Sequence, residues 1–425
     1  MVRRRLLWNG LCQTKSSSRM NNDEAGKDKK KIYSASIFKW SVWTLLALSF
    51  LVFIEPSPSD LLFVLVLIFG LLTAQVMERN GLLLPLFLLA AFTATGILPL
   101  FGFADVWPSL RYLVITSYLI VLWWFFIGAF NQEPKLIDIS WNGYVVGAAI
   151  CTAVGLFAYF SKWGPVYRVF TLFDRPRGFF KDPNVFGPFL IPVFLYASVK
   201  YEFSQRKGVI WSLAAGFFYI GIVLSYSRAA WLNLAVTVLC FVLLRLWGAK
   251  RIPRLSWHPW RLLTLVTICL AISVGLVITP KTGHMLALRL SPHQYDQERF
   301  VVQKKALKLT GKNLFRLGIG PGKSEKTFNH AVHNSYLRVL VENGLVGAVS
   351  FFVFLALSLW RGIKKALRLG YHDHLLSAAV TACLIGIACN SLFIDTVHWR
   401  HFWFLLALPW LNNTEMGGLI PAPKE

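Results

Sequence analysis

The sequence predicts an all-α polytopic membrane protein with about twelve transmembrane helices. Hydrophobic residues make up 56% of the 425 residues, charged residues only 15%, and the mean hydropathy is +0.54. Apolar runs of about 20 residues, the length that crosses ~30 Å of hydrocarbon, recur along almost the whole chain. Because a membrane-spanning segment must satisfy its own backbone hydrogen bonds, these runs are predicted to be helices.

The alternation of polar and apolar segments predicts the order of the elements. Residues 1–36 are basic, and no apolar core follows Arg5 closely enough for a cleaved signal peptide, so we expect a disordered cytoplasmic arm. Spans 1–9 then occupy 37–279, a loop follows at 280–343, spans 10–12 occupy 344–413, and a cytoplasmic tail occupies 414–425. The predicted spans are 37–54, which acts as a signal anchor, 60–77, 82–100, 110–130, 142–160, 184–200, 209–225, 229–247, 262–279, 344–360, 375–394 and 400–412.

The positive charge of the chain is distributed in an informative way. A net charge of +24 would indicate nucleic acid binding in a soluble protein, but membrane proteins accumulate Lys and Arg in cytoplasmic loops, so no nucleic acid is expected. Two loops on the outer side of the predicted topology, 161–183 and 280–343, are nevertheless rich in Lys and Arg. A long loop can carry any charge, but arginines clustered near membrane ends favour an anion site on the outer face.

Cysteine and histidine spacing predicts neither disulfides nor a metal. Five of the six cysteines lie in apolar runs, and the chain has no CxxC. The nine histidines and the acidic residues show no ligand spacing such as HExxH. We therefore expect no cofactor and no metal site.

Two short motifs place arginines at membrane ends. In RPRGFFKDPNVFG, which begins at Arg175, Pro183 suits a helix start with Asp182 as its cap. Arg177 would lie near that helix N-terminus and bind a phosphate, or else anchor to lipid headgroups. In SYSRAAW, Arg228 lies at the edge of the hydrocarbon, where a charge usually has a partner, although it could also snorkel to headgroups.

The long loop is predicted to contain two helices. Arg299–Leu309 has the pattern of an amphipathic helix lying on the lipid surface, and Asn334–Val341 forms a second helix that Gly344 closes. Between them GIGPG at Gly318–Gly322 forms a turn. The backbone N–H groups of this turn could face an anion, or the segment could be a plain turn.

His333 is the strongest single candidate for catalysis. An imidazole accepts a hydroxyl proton near neutral pH, and His333 directly precedes the second loop helix. A merely solvated histidine is the alternative, and His330 could be confused with it. At the last outer turn, Arg400 could join the site or contact headgroups.

The motifs and their order resemble those of the O-antigen ligase family. This family belongs to a larger group that includes O-antigen polymerases and some protein O-oligosaccharyltransferases. The resemblance extends from about residue 140 to the end of the chain. It rests on the Arg-Gly-x-x-x-x-Pro-Asn element (Arg177, Gly178, Pro183, Asn184), Ser-Arg-Ala-Ala-Trp at Ser227–Trp231, Arg299, GIGPG, HNSYL at His333–Leu337 and ENGLVG at Glu342–Gly347.

The resemblance implies a GT-C-type glycosyltransferase of the bacterial inner membrane, with its large loop and its active site facing the periplasm. It implies that Arg228 and Arg299 bind the diphosphate of undecaprenyl-pyrophosphate-linked glycan, with Arg175, Arg177 and Arg400 as further candidates. His333 would be the general base of an inverting, metal-independent transfer to lipid A–core. An O-antigen polymerase with the same donor and a lipid-linked glycan transporter are the alternatives, although the sequence lacks the internal repeat typical of transporters.

Overall fold

A computed structural model describes residues 32–76, 81–102, 106–204, 207–251, 259–291, 294–312, 318–368 and 371–412. The predicted cytoplasmic tail lies outside these residues, and so does all of the predicted arm except 32–36. The described residues are mostly helical.

The described chain contains sixteen α-helices, two short 3₁₀ helices at Leu98–Gly102 and Leu408–Trp410, and a two-stranded hairpin. The hairpin pairs β1 (Thr171–Leu172) with β2 (Arg175–Pro176) in antiparallel orientation. The helices are α1 (32–47), α2 (Pro58–Leu72), α3 (Leu83–Ile97), α4 (Trp107–Gln132), α5 (Lys135–Ser161), α6 (Gly164–Phe170), α7 (Pro183–Phe203), α8 (Gly208–Leu224), α9 (Arg228–Arg251), α10 (Pro259–Ile278), α11 (Pro280–Leu290), α12 (Gln294–Lys312), α13 (Ser324–Phe328), α14 (Ser335–Arg368), α15 (Tyr371–Asn390) and α16 (Arg400–Ala407).

Local sequence signals set several helix boundaries. The side chain of Asp182 accepts a hydrogen bond from the backbone N–H of Asn184 at 2.8 Å, which confirms the predicted cap of α7. Asn334 likewise caps the start of α14 by accepting from the N–H of Leu337 at 3.0 Å. Gly344 has φ +70°, a left-handed conformation that breaks α14, so the predicted closure of the second loop helix at this glycine is confirmed.

The apolar helices support a multi-pass membrane architecture. Six helices in the described ranges are long and apolar enough to cross a bilayer, namely Leu83–Phe101, Trp107–Gln132, Lys135–Ser161, Arg228–Gly248, Trp260–Ile278 and Ser335–Arg368. Three shorter apolar helices coincide with predicted spans, namely Pro58–Leu72, Gly208–Leu224 and His374–Asn390. The count of twelve and the GT-C assignment remain predictions.

The last predicted span differs from the structure. Residues 400–412 contain only the eight-residue helix α16, followed by a 3₁₀ turn at Leu408–Trp410, so they do not form one continuous α-helical span. Eight residues of α-helix rise only about 12 Å. Since all of α16 beyond Arg400 is buried, this segment fills the interior of the bundle.

Helix α7 occupies the centre of the bundle and packs against α8, α9 and α15. Pro188 and Pro192 lie inside it, and most of its side chains are buried. Tyr196 stacks on Trp141 of α5 with ring centroids 4.7 Å apart, and the hydroxyl of Tyr144 donates to the carbonyl of Phe189 at 2.6 Å. These contacts fix the helix that begins at Asp182, beside the candidate site.

The described connecting segments meet at one end of the bundle, which we call the loop end; they are 51–57, 162–182, 225–227, 279–291, 294–312, 318–334 and 391–399. The backbone N–H of Val52 donates to the carbonyl of Phe179 at 3.2 Å, and Glu55 pairs with both Arg111 and Lys181. The loops predicted to lie outside therefore come together in space.

Candidate functional site

A cavity of about 410 Å³ opens at the loop end and is lined mainly by polar and charged side chains. Segments far apart in sequence contribute to it: the hairpin, the start of α7, the turn before α9, and helices α11 and α12. The lining residues are Leu172, Phe173, Arg175, Asp182, Asn184, Tyr226, Arg228, Ala229, Arg289, Arg299 and Ile394.

Arg175 enters the cavity from the hairpin. The two residues between the strands, Phe173 and Asp174, both have positive φ, the backbone of a tight two-residue turn that places β2 directly after it. The guanidinium of Arg175 donates from Nε to the carbonyl of Ser225 at 2.9 Å and from Nη2 to Oδ1 of Asn184 at 2.8 Å. Arg175 thus joins the hairpin, the turn before α9 and the start of α7.

Arg228 is the first residue of α9 and is exposed at the cavity. The turn before it is held by Ser227, whose hydroxyl accepts from the N–H of Ala230 at 3.3 Å. The hydroxyls of Tyr226 and Tyr159 lie 2.8 Å apart, which ties the same turn to α5. Arg228 is therefore presented from a fixed turn at the end of two helices, as its position in the sequence predicts.

The long loop supplies two further arginines on separate helices. Helix α11 carries Arg289 and packs through Met285 and Leu286 near Tyr226. Helix α12 carries Arg299 and buries Val302 and Ala306 against the start of α14. A helix therefore covers the predicted segment, and one side of it packs on the protein.

Positive charge is concentrated in this cavity. Among the described lining residues, four are arginines and one, Asp182, is acidic. The pKa of Arg175 is lowered to about 10, first by burial and then by the positive charges of Arg289, Arg299 and Arg228, against the opposing effect of Asp182. At neutral pH Arg175 is still protonated, so the guanidinium groups repel one another and an anionic ligand would relieve that repulsion.

His333 lies just before α14 in a constrained backbone conformation. Its φ is +50°, which is uncommon for a residue other than glycine. Ser335, two residues on, donates from its N–H to the carbonyl of Ser391 at 2.8 Å and accepts from the N–H of Thr396 through Oγ at 2.8 Å. The 391–396 segment thus fixes the chain that carries His333.

The imidazole of His333 interacts with charges of both signs. Its pKa is lowered to about 4, first by burial and then by the positive charges of Arg299 and Arg338, against the opposing effect of Asp182 and Asp395. His333 is not among the residues lining the cavity, but Arg299 and Asp182 are. With that pKa the imidazole is neutral at physiological pH, which is the form that accepts a proton.

A network of ion pairs and hydrogen bonds connects the start of α14, which follows His333, to neighbouring segments. Asp395 forms an ion pair with Arg338, which also approaches Glu342 at 3.2 Å, and the hydroxyl of Ser324 donates to Glu342 at 2.5 Å. Burial would raise the pKa of Asp395, but Arg338 and His398 outweigh it and hold that pKa well below its ordinary value. Asp395 therefore stays ionised and fixes α14 to the loop after α15.

The structure does not bring two predicted arginines to the cavity. Arg177 donates to the carbonyls of Val169 and Lys181 at 3.0 Å and 3.2 Å, and its guanidinium lies 4.9 Å from the ring centroid of Phe53. Arg400 forms a two-fold ion pair with Asp60, at 2.7 Å and 2.5 Å. Both guanidinium groups are held by other parts of the protein.

The GIGPG segment is a structural turn. The N–H groups of Ile319 and Gly320 donate to the carbonyls of Val341 and Glu342, each at 3.0 Å, so they do not point at a ligand. A side chain at Gly318 would collide with the backbone at Glu342. The segment thus caps the first part of α14 where Gly344 breaks it, and the possibility of an anion cradle is wrong for these two N–H groups.

Arg289 is the site residue that sequence reasoning missed. It lies in the basic loop 280–343, but no motif distinguishes it from the lysines and arginines around it. Only the packing of α11 against the turn before α9 brings it to the cavity. An amphipathic reading of 280–290 would have placed it on a helix.

The O-antigen ligase family model matches residues 213–352. That stretch contains Arg228, Arg289, Arg299 and His333, together with the motifs SRAAW, GIGPG and HNSYL. The resemblance inferred from those motifs is therefore confirmed. A comparison with curated proteins gave no match.

Proposed function

We propose that this chain transfers glycan from undecaprenyl pyrophosphate to a sugar hydroxyl of lipid A–core, because residues 213–352 match the O-antigen ligase family model. The observation that carries the proposal is the arginine-lined cavity beside His333, three of whose four arginines lie in the matched stretch. We place the enzyme in the bacterial inner membrane, with the loop end facing the periplasm. The apolar helices support the membrane location, and the resemblance to the O-antigen ligase family supports the orientation.

The proposed reaction is a single displacement with inversion at the anomeric carbon. His333 takes the proton of the acceptor hydroxyl while that oxygen forms the new bond to the anomeric carbon. The bond from the anomeric carbon to the phosphate oxygen breaks, and its electron pair leaves on undecaprenyl pyrophosphate. Since His333 is neutral before the reaction, it can act as the base without first losing a proton.

In this proposal, arginines stabilise the negative charge that develops on the leaving diphosphate. The diphosphate gains negative charge as the bond to the sugar breaks, and preorganised guanidinium groups lower the energy of that charge. We propose Arg228, Arg289 and Arg299 as the groups that contact it. Arg175, which bonds to Ser225 and Asn184, positions the turn that carries Arg228 and adds to the positive field. No metal ion is needed for this step.

The acceptor substrate that the enzyme uses distinguishes a ligase from a polymerase. Purified protein in liposomes is given glycan on undecaprenyl pyrophosphate, together with either lipid A–core or a second lipid-linked repeat unit. A ligase extends only lipid A–core, whereas a polymerase lengthens the lipid-linked chain. Products on lipid A–core alone are expected, and exclusive lengthening of the lipid-linked chain would contradict the ligase assignment.

The same assay tests the transporter alternative when the donor is sealed on one side of the liposome. A transporter moves the lipid-linked glycan across the bilayer with no covalent product. Movement without a product, in both wild type and His333→Ala, would replace the proposed function with transport.

A further inference from the structure

Arg289 and Arg299, which both line the cavity, lie in different surroundings. Arg299 is the charged residue that acts most strongly on the pKa of His333, while Arg289 is the one that acts most strongly on the pKa of Arg175. They also come from separate helices, α12 and α11, which pack on different clusters. The cavity therefore has one end near the proposed base and another near the hairpin.

Apolar surface borders the Arg289 end. The two neighbours of Arg289 in sequence, Leu288 and Leu290, are 43% and 71% exposed. Just before α11, Val277 and Ile278 at the end of α10 are 61% and 73% exposed. Of residues 260–278 only Leu265 is buried, so exposed apolar surface runs along α10 to the start of α11, the helix that carries Arg289.

A lipid-linked diphosphate has an orientation that these two ends can recognise. One of its phosphates is joined to a hydrocarbon chain and the other to a sugar. The sugar must reach His333 for the reaction to occur, and the hydrocarbon chain must stay in contact with lipid or apolar surface. Only one direction of the donor satisfies both requirements in this cavity.

We propose that Arg289 binds the phosphate next to the lipid and Arg299 the phosphate next to the glycan, so that the polyprenyl chain leaves along α10 and α11. This assignment rests on the proposed function and gives it a direction. When the bond to the sugar breaks, new charge develops on the glycan-side phosphate, beside Arg299. The charge of the lipid-side phosphate does not change, so Arg289 contributes to binding equally before and after the reaction.

Polyprenyl monophosphate tests the assignment, because it keeps the lipid-side phosphate and lacks the other. Binding of undecaprenyl phosphate and undecaprenyl pyrophosphate is measured for wild type, Arg289→Gln and Arg299→Gln in nanodiscs. Arg289→Gln should weaken both ligands about tenfold, which corresponds to ~1.4 kcal/mol. Arg299→Gln should weaken only the pyrophosphate.

Transfer kinetics give a second readout. Arg289→Gln should raise KM for the donor with little change in kcat, whereas Arg299→Gln should lower kcat. Arg289→Lys keeps the charge and should recover most of the binding. Lys305→Gln, on the exposed side of α12, is the matched control for loss of one positive charge and should bind both lipids as wild type does.

Each outcome decides the assignment. Loss of monophosphate binding in Arg299→Gln rather than in Arg289→Gln would reverse the orientation, and equal effects of the two variants on both ligands would overturn it. Failure of the proposed function looks different, because wild-type protein would then bind the polyprenyl phosphates without transferring any glycan. Thermal unfolding of each variant distinguishes lost binding from lost folding.

Discussion

Replacing Arg299 with glutamine should raise the pKa of His333. Burial and the charge of Arg299 are the two largest causes that bring this pKa from 6.5 down to about 4. Glutamine keeps much of the side-chain volume and removes the charge, so the contribution of burial is retained. A nearby charge shifts a pKa by about one to three pH units. Since burial takes the larger share here, we expect a rise of about one, equivalent to ~1.4 kcal/mol.

The rate of reaction with diethyl pyrocarbonate as a function of pH measures this change, because the reagent modifies neutral imidazole. Mass spectrometry of the peptide containing both His330 and His333 separates the two sites, and the exposed His330 monitors the reagent. The midpoint for His333 should lie at higher pH in Arg299→Gln than in wild type. An unchanged or lower midpoint would refute the electrostatic link between Arg299 and His333.

Three further variants test other parts of the structure. Arg228→Ala should weaken donor binding about tenfold or more in the nanodisc assay. Arg177→Ala, the matched control at the loop end, should leave donor binding unchanged. Equal losses of binding in the two variants would contradict the assignment of Arg228, but not Arg177, to the donor site. Arg400→Gln leaves the carboxylate of Asp60 without its ion pair and should lower the free energy of unfolding by about 2–3 kcal/mol, with recovery in the double variant carrying Asp60→Asn. Gly344→Ala places a side chain at φ +70° and should destabilise by ~1–2 kcal/mol in thermal unfolding, and no change there would contradict the strain argument.

Local sequence predicted the parts of the site that depend on neighbours in the chain. A proline preceded by a capping aspartate marked the start of α7, and a glycine marked the break in α14. His333 could be singled out because it directly precedes a predicted helix in a basic loop, whereas Arg299 stands out only through the resemblance to the O-antigen ligase family. For the cap and the helix break, the relevant interactions lie within a few residues of one another.

Contacts between distant segments could not be predicted in the same way. The partner of Arg400 is Asp60, 340 residues earlier in the chain, and no periodicity connects the two. The inclusion of Arg289 depends on how α11 packs against the turn before α9. Within GIGPG, the N–H groups of Ile319 and Gly320 donate to carbonyls of α14. These bonds depend on tertiary packing between segments more than twenty residues apart. Short motifs therefore identified candidate residues, and the fold decided which of them share a cavity.

Transfer and donor binding measured together in His333→Ala test the central claim most directly. With glycan on undecaprenyl pyrophosphate and lipid A–core in liposomes, the variant should lose transfer by about a hundredfold or more, the contribution typical of a general base. Its affinity for the donor should remain within about threefold of wild type, because the arginines that hold the diphosphate are unchanged. Transfer at the wild-type rate would contradict the assignment of His333 as the base.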